Sequence, residues 1–578
     1  MAIKISGSTI IDDSRNIVNA GIVTATTFSG DGSALTGVGL NADADLNLFA
    51  ANTCSGCNLD GSSGCFNVFL GACAGKAVTS GNDNLFLGKC AGNSINTGSY
   101  NLFFGEEAGK SFTSSSSNIA IGGKAASLAT GGSHGIFLGS YNVRNLSAGE
   151  DNIVMGRSAG DSLTTACRNV FIGCKAGQDA TTAKHNVYVG TYAGKASATT
   201  CFNSFFGGLA GSSHSDGNYN FYGGYNSGGR KGSYNVAFGN QARREKCGDH
   251  NIAMGMCAAG KCTACNTHNI TMGYFSAACI TTGSNNIFLG QCTAATGTVT
   301  GSHNVALGSA AGKSITSGLR NVSIGCGAGK CINTGDSNVF LGNEAGQNNT
   351  TGSRNVFLGE LAGGGGTVTG DGNVAIGNQT GNDLTSGFNN VFLGTYAADK
   401  ATTGQQNIII GDSAGRCKIG SDNILLGQEA GKGSSTVTNN TGSFNVFIGK
   451  SAGNVITSGS NNVSIGCHSG KAVTEGGHNI FLGRYTGYNV TTGSKNISIG
   501  CQIDLPSATG DRQLAIGEVG CRWVAGDSSF NTCLGNSGNI KAMASGTMCA
   551  TCFVGCGAGL TGIDAGFDPD AQENLYAG

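Results

Sequence analysis

From residue 67 onward the chain repeats one pattern of apolar and polar positions. The stretch "NVFLGACAGKAVTSGND" (67–83) is followed by "NLFLGKCAGNSINTGSY" and then by "NLFFGEEAGKSFTSSSS". Counted from the Asn as position 1, positions 2 to 4 are apolar and position 5 is Gly, as in Asn67-Val68-Phe69-Leu70-Gly71. This predicts a short strand closed by a turn. Positions 8 and 9 are usually Ala-Gly, position 12 is often apolar (Val78, Ile95, Phe112), and Thr, Ser and Gly precede the next Asn. That second polar run predicts a second turn.

Repeats start at Asn67, Asn84, Asn101, Asn118, Gly135, Asn152 and Asn169 and continue to Asn496; 18 of the 25 intervals are 17 residues, and the longest, Asn423 to Asn445, is 22. A period near 17 is too short for helical-hairpin repeats or a propeller blade. It suits one coil of a β-solenoid, each repeat adding one rung. The expected fold is therefore all-β: a β-solenoid or β-roll rod almost without helix. Four regions are expected: a separate β module over 1–45, a degenerate first repeat over 46–66, a regular shaft over 67–512 and degenerate repeats over 513–578. The Asn column, including Asn67, Asn84, Asn101, Asn118, Asn152 and Asn169, is expected to form an axial hydrogen-bonded ladder, as stacked Asn does in cross-β arrays. Near absence of Pro, 2 residues in all, suits an unbroken stack.

Position 3 is Phe in 12 of the 26 repeats: Phe69, Phe86, Phe103, Phe137, Phe171, Phe205, Phe288, Phe340, Phe357, Phe392, Phe447 and Phe481. It faces away from positions 2 and 4, so both faces of the strand are apolar. If one chain buries a single face, the Phe column becomes an aromatic stripe on the order of 100 Å long. A soluble monomer does not tolerate such a patch. The column is thus expected to be a core or interface column of a parallel, in-register homotrimer.

Composition narrows the remaining classes. Of 578 residues 101 are Gly, with no Gly-X-Y period, which excludes collagen. Charged residues make up 12% and the net charge is -1, without a basic stripe, so no nucleic-acid partner is expected. No apolar run reaches membrane-spanning length, so no membrane insertion is expected. The first residues lack the apolar core of a secretory signal, and synthesis in a cytoplasm is expected.

"GIVTATTFSGDGSALTGV" (21–38) resembles a module of tail-fibre and tail-collar-like proteins of marine, cyanophage-like bacteriophages, and the NVFLGxxAGxxxTTGSxN repeats resemble their shafts. Related glycine-rich β-rolls occur in the heads of trimeric autotransporter adhesins. The resemblance covers nearly the whole chain. It implies a homotrimeric virion appendage, joined to a phage tail or baseplate protein through its N-terminus and presenting an end that meets a host-surface glycan or protein. The alternative is a cellular extracellular adhesin or matrix filament. The last residues, Asn574-Leu575-Tyr576-Ala577-Gly578, read as the first strand of a further repeat.

The 24 Cys are the anomaly. The densest group, Cys247, Cys257, Cys262 and Cys265, lies near His250 and His268 and is a candidate zinc site. Packed free thiols and disulfides are the competing readings. Thr near positions 13 and 14 suggests either an ice-binding face or ordinary turn chemistry, and adjacent Gly favours turns. No Ser/His/Asp or paired-carboxylate arrangement recurs, so neither an enzyme nor a cofactor is expected. Irregular repeats, the 22-residue one with Gly433–Ser443 and the short ones around Asn220–Asn251, read first as structural irregularities, and any localised site is expected there.

Overall fold

The computed structural model describes residues 47–49, 54–59 and 63–529, except 245–246, 261–263, 419 and 436–439, together with six short outlying strands. The proposed N-terminal module lies mostly outside the described residues, which there comprise Ile3–Ile5 paired antiparallel with Ser8–Ile11, and Asn41–Ala42. There is no α-helix among the described residues. The chain divides into two compact units, Met1–Ile419 and Gly420–Gly578.

In the first unit, 21 three-residue strands from Val68–Leu70 to Ile408–Ile410 each pair in parallel and in register with the next, about one period on. Each rung is held at several points. The N–H of Val68 donates to the Asn84 carbonyl (2.8 Å), and that of Cys90 to the Ala72 carbonyl (2.8 Å). Asn84 donates both its backbone N–H and its Nδ2 to the Asn67 Oδ1 (3.0 Å each), and its Nδ2 also donates to the carbonyl of Gly98 (2.9 Å). The buried amides of this column are thereby satisfied within the stack, as burial requires. At Gly135 the column skips a side chain: the Gly135 N–H still donates to the Asn118 Oδ1 (2.9 Å), and the amide ladder resumes at Asn152–Asn169.

Gly at position 5 is dictated by contact between rungs. Gly71 has φ +145, and a Cβ there would lie 2.4 Å from the Gly88 carbonyl oxygen. Gly at position 9 is dictated by the core. A Cβ on Gly92 would lie 2.6 Å from the Phe86 ring.

The Phe column lies inside the coil of a single chain. Phe69, Phe86, Phe103, Phe171, Phe205, Phe288, Phe340, Phe357, Phe392 and Phe481 have no exposed area, and Phe137 and Phe447 have 1%. This corrects their assignment to a trimer interface: side chains already enclosed by their own chain cannot meet another. The small Ala-Gly pair at positions 8 and 9 leaves room within the coil for the ring of position 3, so the inward face is position 3 and the outward face positions 2 and 4.

The second unit repeats the plan with six parallel strands: Ile424–Leu426, Val446–Ile448, Val463–Ile465, Ile480–Leu482, Ile497–Cys501 and Leu514–Glu518. The ladder then reverses instead of continuing in degenerate rungs. A two-residue turn, Val519-Gly520, carries Leu514–Glu518 into the antiparallel strand Cys521–Gly526, which pairs antiparallel with Thr532–Leu534. Leu575–Ala577, expected to begin another rung, pairs antiparallel with Phe567–Pro569.

Candidate functional site: the outward face of the strand ladder

Along the first unit the outward side chains at positions 2 and 4 form one apolar stripe. Most strands are half-buried, buried, half-buried in turn. The stripe is open enough for Phe104 to be 53% exposed and Ile408 41%. These side chains, apolar in all but Ser204 and Gly223 over 21 rungs, amount to an area on the order of 1,500 Å², well beyond the apolar patches common on monomers. The sequence shows both faces to be apolar; only the coil's geometry says which is outside.

Turn residues border the stripe. Position 17, just before the Asn, adopts the left-handed region without being Gly, as at Asp83 (φ 55) and Tyr100 (φ 61). The conformation aims its N–H at the preceding rung, Tyr100 N–H donating to the Asn82 carbonyl (3.0 Å). In six consecutive rungs this position carries a ring: His185, Phe202, Tyr219, Tyr234, His250 and His268. The rings stack nearly parallel, with centroids 4.7, 4.9, 5.1, 5.0 and 4.8 Å apart. Their faces cover one another and their edges are turned to solvent, so a sugar cannot stack on them except at the ends of the column. The run His-Phe-Tyr-Tyr-His-His at one repeat position was the available sequence signal.

The same rungs are irregular inside. Ala237 replaces the position-3 ring, and Arg243, at position 9 of that rung, lies in the core with 1% exposure. Its Nη2 donates to the carbonyls of Cys247 (3.1 Å) and Gly248 (2.6 Å), while its Nη1 has no hydrogen-bond partner. Burial lowers the pKa of this guanidinium. His214 is fully buried, with Nδ1 3.1 Å from the Gly229 carbonyl, and Nε2 3.1 Å from the Gly217 carbonyl and 3.3 Å from the Asn220 Nδ2. A neutral ring that donates from Nδ1 to Gly229 can accept at Nε2 from Asn220. The two carbonyls favour the charged ring, but burial outweighs them and lowers the pKa below the ordinary 6.5. Elsewhere, Lys418 takes the usually apolar position 12; it is buried, its Nζ has no partner, and desolvation pushes its pKa down to about 7.

The zinc candidates do not converge. Cys247 and Cys265 form a disulfide across neighbouring rungs, which consumes two of the proposed ligands; Cys257 is a free thiol, and Cys262 lies outside the described residues. No group of three or more metal-ligating side chains occurs among the described residues. Cys73 and Cys90, in one column, remain free. Thr hydroxyls at position 13 donate to the next rung, Thr164 to the Thr181 carbonyl (3.1 Å) and Thr181 to the Ala198 carbonyl (3.0 Å). They are committed to the stack rather than arrayed for ice. Gly433–Ser443 is described only in part, because 436–439 lie outside the described residues. A notch of about 90 Å³, bordered by Ser212, Ser213, Asn226 and Ser227, is small beside the usual ligand pocket. No helix among the described residues is long and apolar enough to cross a membrane. No protein-family model matches the chain, and no curated protein matches it.

Proposed function

We propose that this chain is a structural shaft of a virion appendage of the tail-fibre kind, a spacer that self-associates in parallel, as a homotrimer, through the outward face of positions 2 and 4. Its N-terminal region joins it to a tail or baseplate protein, and the assembly presents an adhesive end to a host-surface glycan or protein. The observation that carries this reading is the long apolar stripe, broken only at Ser204 and Gly223, outside an already complete core. Such a stripe needs cover, and a second and third copy offer an identical one in matching orientation. A face on the order of 1,500 Å² exceeds the ~800 Å² per partner of a standard stable interface. Repeated rungs present the same shallow surface on every layer, which suits spacing better than small-molecule binding.

Sedimentation equilibrium of the full chain tests the assembly, and immunogold labelling of purified virions tests the location. Three chain masses and label along a tail appendage are expected. A monomer at micromolar concentration would refute the assembly, and unlabelled virions the location.

A further inference from the structure

A uniform aliphatic stripe leaves one problem unsolved. Columns 2 and 4 read Val305/Leu307, Val322/Ile324, Val339/Leu341 and Val356/Leu358 in successive rungs. Two copies sliding past each other by one rung, about 4.8 Å, would set Val against Val and Leu against Ile. Side-chain matching there barely distinguishes one register from the next, and a repetitive surface of this kind is prone to slippage.

Phe104 is a single outward ring in an otherwise aliphatic part of the face, and one longer stretch of the same face does not repeat. In column 4 the side chains run Phe206, Gly223, Phe238, Met254, Met272, and column 2 runs Ser204, Phe221, Val236, Ile252, Ile270. Phe206, Phe221, Phe238, Met254 and Met272 are all 36–53% exposed. Phe238 leans over the Gly223 slot: a Cβ on Gly223 would lie 2.5 Å from its ring. The stacked position-17 rings border these rungs at one end of the strand, and Tyr225, 54% exposed, borders them at position 6. A one-rung slide here would set Phe against Gly and Met against Phe.

We infer that the outward face of the five strands from Ser204–Phe206 to Ile270–Met272 is the register lock of the assembly: its occupant is the same face of a second copy, and its large, non-repeating side chains select the one axial alignment in which all rungs match. The inference rests on self-association through the stripe proposed above. The lock is a specificity element, and the aliphatic rungs supply most of the contact area.

The test places a photo-crosslinking benzoyl-phenylalanine at Leu307, outward and outside the segment, in the full chain, and maps crosslinked peptides by mass spectrometry. The unaltered segment should give crosslinks to a single rung of the neighbouring copy. The variant Phe206→Leu, Phe221→Val, Gly223→Leu, Phe238→Leu, Met254→Leu, Met272→Leu should keep the sedimentation mass and spread its crosslinks over at least two rungs. A single register in that associated variant overturns the lock and leaves self-association standing; a monomeric unaltered chain overturns both. A second arm leaves the segment intact. A chain lacking residues 321–337, one whole rung, is mixed with the full chain carrying the probe. Crosslinks from Leu307 to the rung of Asn304 in the shortened copy are expected and, with the spread of register in the first variant, assign alignment to the segment; crosslinks one rung away show alignment from rungs beyond the deletion and overturn the proposal.

Discussion

Compare the rungs of Phe69, Phe86 and Phe103 with those of Tyr222, Ala237 and Ala253. In the first set three rings stack 5.0 and 4.9 Å apart, each lying on the Gly at position 9 of its own rung. In the second set the stack Phe171–Tyr188 and Phe205–Tyr222 ends, Ala takes position 3, and position 9 changes with it, to Arg243 and Ala259. In the rungs of Ala237 and Ala253 positions 3 and 9 exchange volume, whereas Ala306 and Ala375 keep Gly312 and Gly381, and Phe288 and Phe392 sit with Ala294 and Ala398. A third solution stands at Ala120, where Phe112, from position 12 of the previous rung, reaches between Phe103 (5.7 Å) and Phe137 (6.4 Å) and continues the stack. The coil tolerates changes of residue at fixed volume, as packed cores do. Of the two regions, only the second places a charged side chain, Arg243, in that volume, and only the second carries a disulfide.

The largest expected difference between the regions comes from emptying the regular core. Phe86→Ala removes a ring held between two others and should cost about 3–5 kcal/mol. Because each rung contacts chiefly its neighbours, amide exchange should accelerate over roughly the rungs of Phe69 to Phe103. Its outward neighbour is the control: Leu87→Ala should leave exchange within the chain nearly unchanged and weaken association instead. Equal effects on exchange from the two would contradict the inward and outward assignment.

Next in size is the disulfide. The Cys247→Ser, Cys265→Ser chain loses a crosslink between positions 18 apart, which for a loop of that length is worth about 3 kcal/mol. Limited proteolysis should then cut first between 243 and 268, with the rungs of Phe69 to Phe103 unaffected. Reduction of the unaltered chain should reproduce the pattern.

Arg243→Met should act in the opposite direction. It keeps a long side chain in the volume vacated at Ala237 and removes a buried cation whose Nη1 is unpaired. Replacing buried charge with apolar volume is often stabilising, here by about 1 kcal/mol after loss of the bonds to Cys247 and Gly248. Arg243→Ala, which leaves the volume empty, should destabilise. The pair separates the contribution of volume from that of charge, read by the denaturant midpoint of a probe in this region.

Much of this architecture was legible in the sequence, and the exceptions have physical causes. The period, the strand positions and the Gly turns follow from Asn-apolar-apolar-apolar-Gly recurring near every 17 residues. The side on which Phe lies did not follow, because Val68, Phe69 and Leu70 are all apolar and hydropathy alternates nowhere along the strand. The deciding signal was volume: Ala74-Gly75 leaves space that only an inward ring fills. The left-handed turn at position 17 was hidden because Gly rarely occupies it; inter-rung hydrogen bonds hold Asp83, Tyr100 and His185 there instead. Disulfides were among the readings of the cysteines, but the pairing of Cys247 with Cys265 was not, because spacing alone could not separate it from a metal site.

The smallest expected effect separates the regions by pH. His214 is buried, and burial lowers its pKa below the 6.5 of an exposed imidazole. Between the folded and unfolded values the unfolded chain therefore binds more protons, and stability rises with pH across that interval. The His214 contribution is fully present above about 6.5 and is lost progressively as the pH falls below it. The carbonyls of Gly229 and Gly217 oppose this direction and limit its size, while the donor Nδ2 of Asn220 reinforces it, because an imidazolium would set a second N–H against that amide. Amide exchange of the Asn203–Asn235 rungs should therefore accelerate between pH 6.5 and 5, beyond its intrinsic pH dependence, while the rungs of Phe69 to Phe103, which contain no His, show the intrinsic dependence alone. His214→Leu restores the apolar residue usual at position 12 and should flatten the difference. A slope that survives in that variant would take the pH response out of the core.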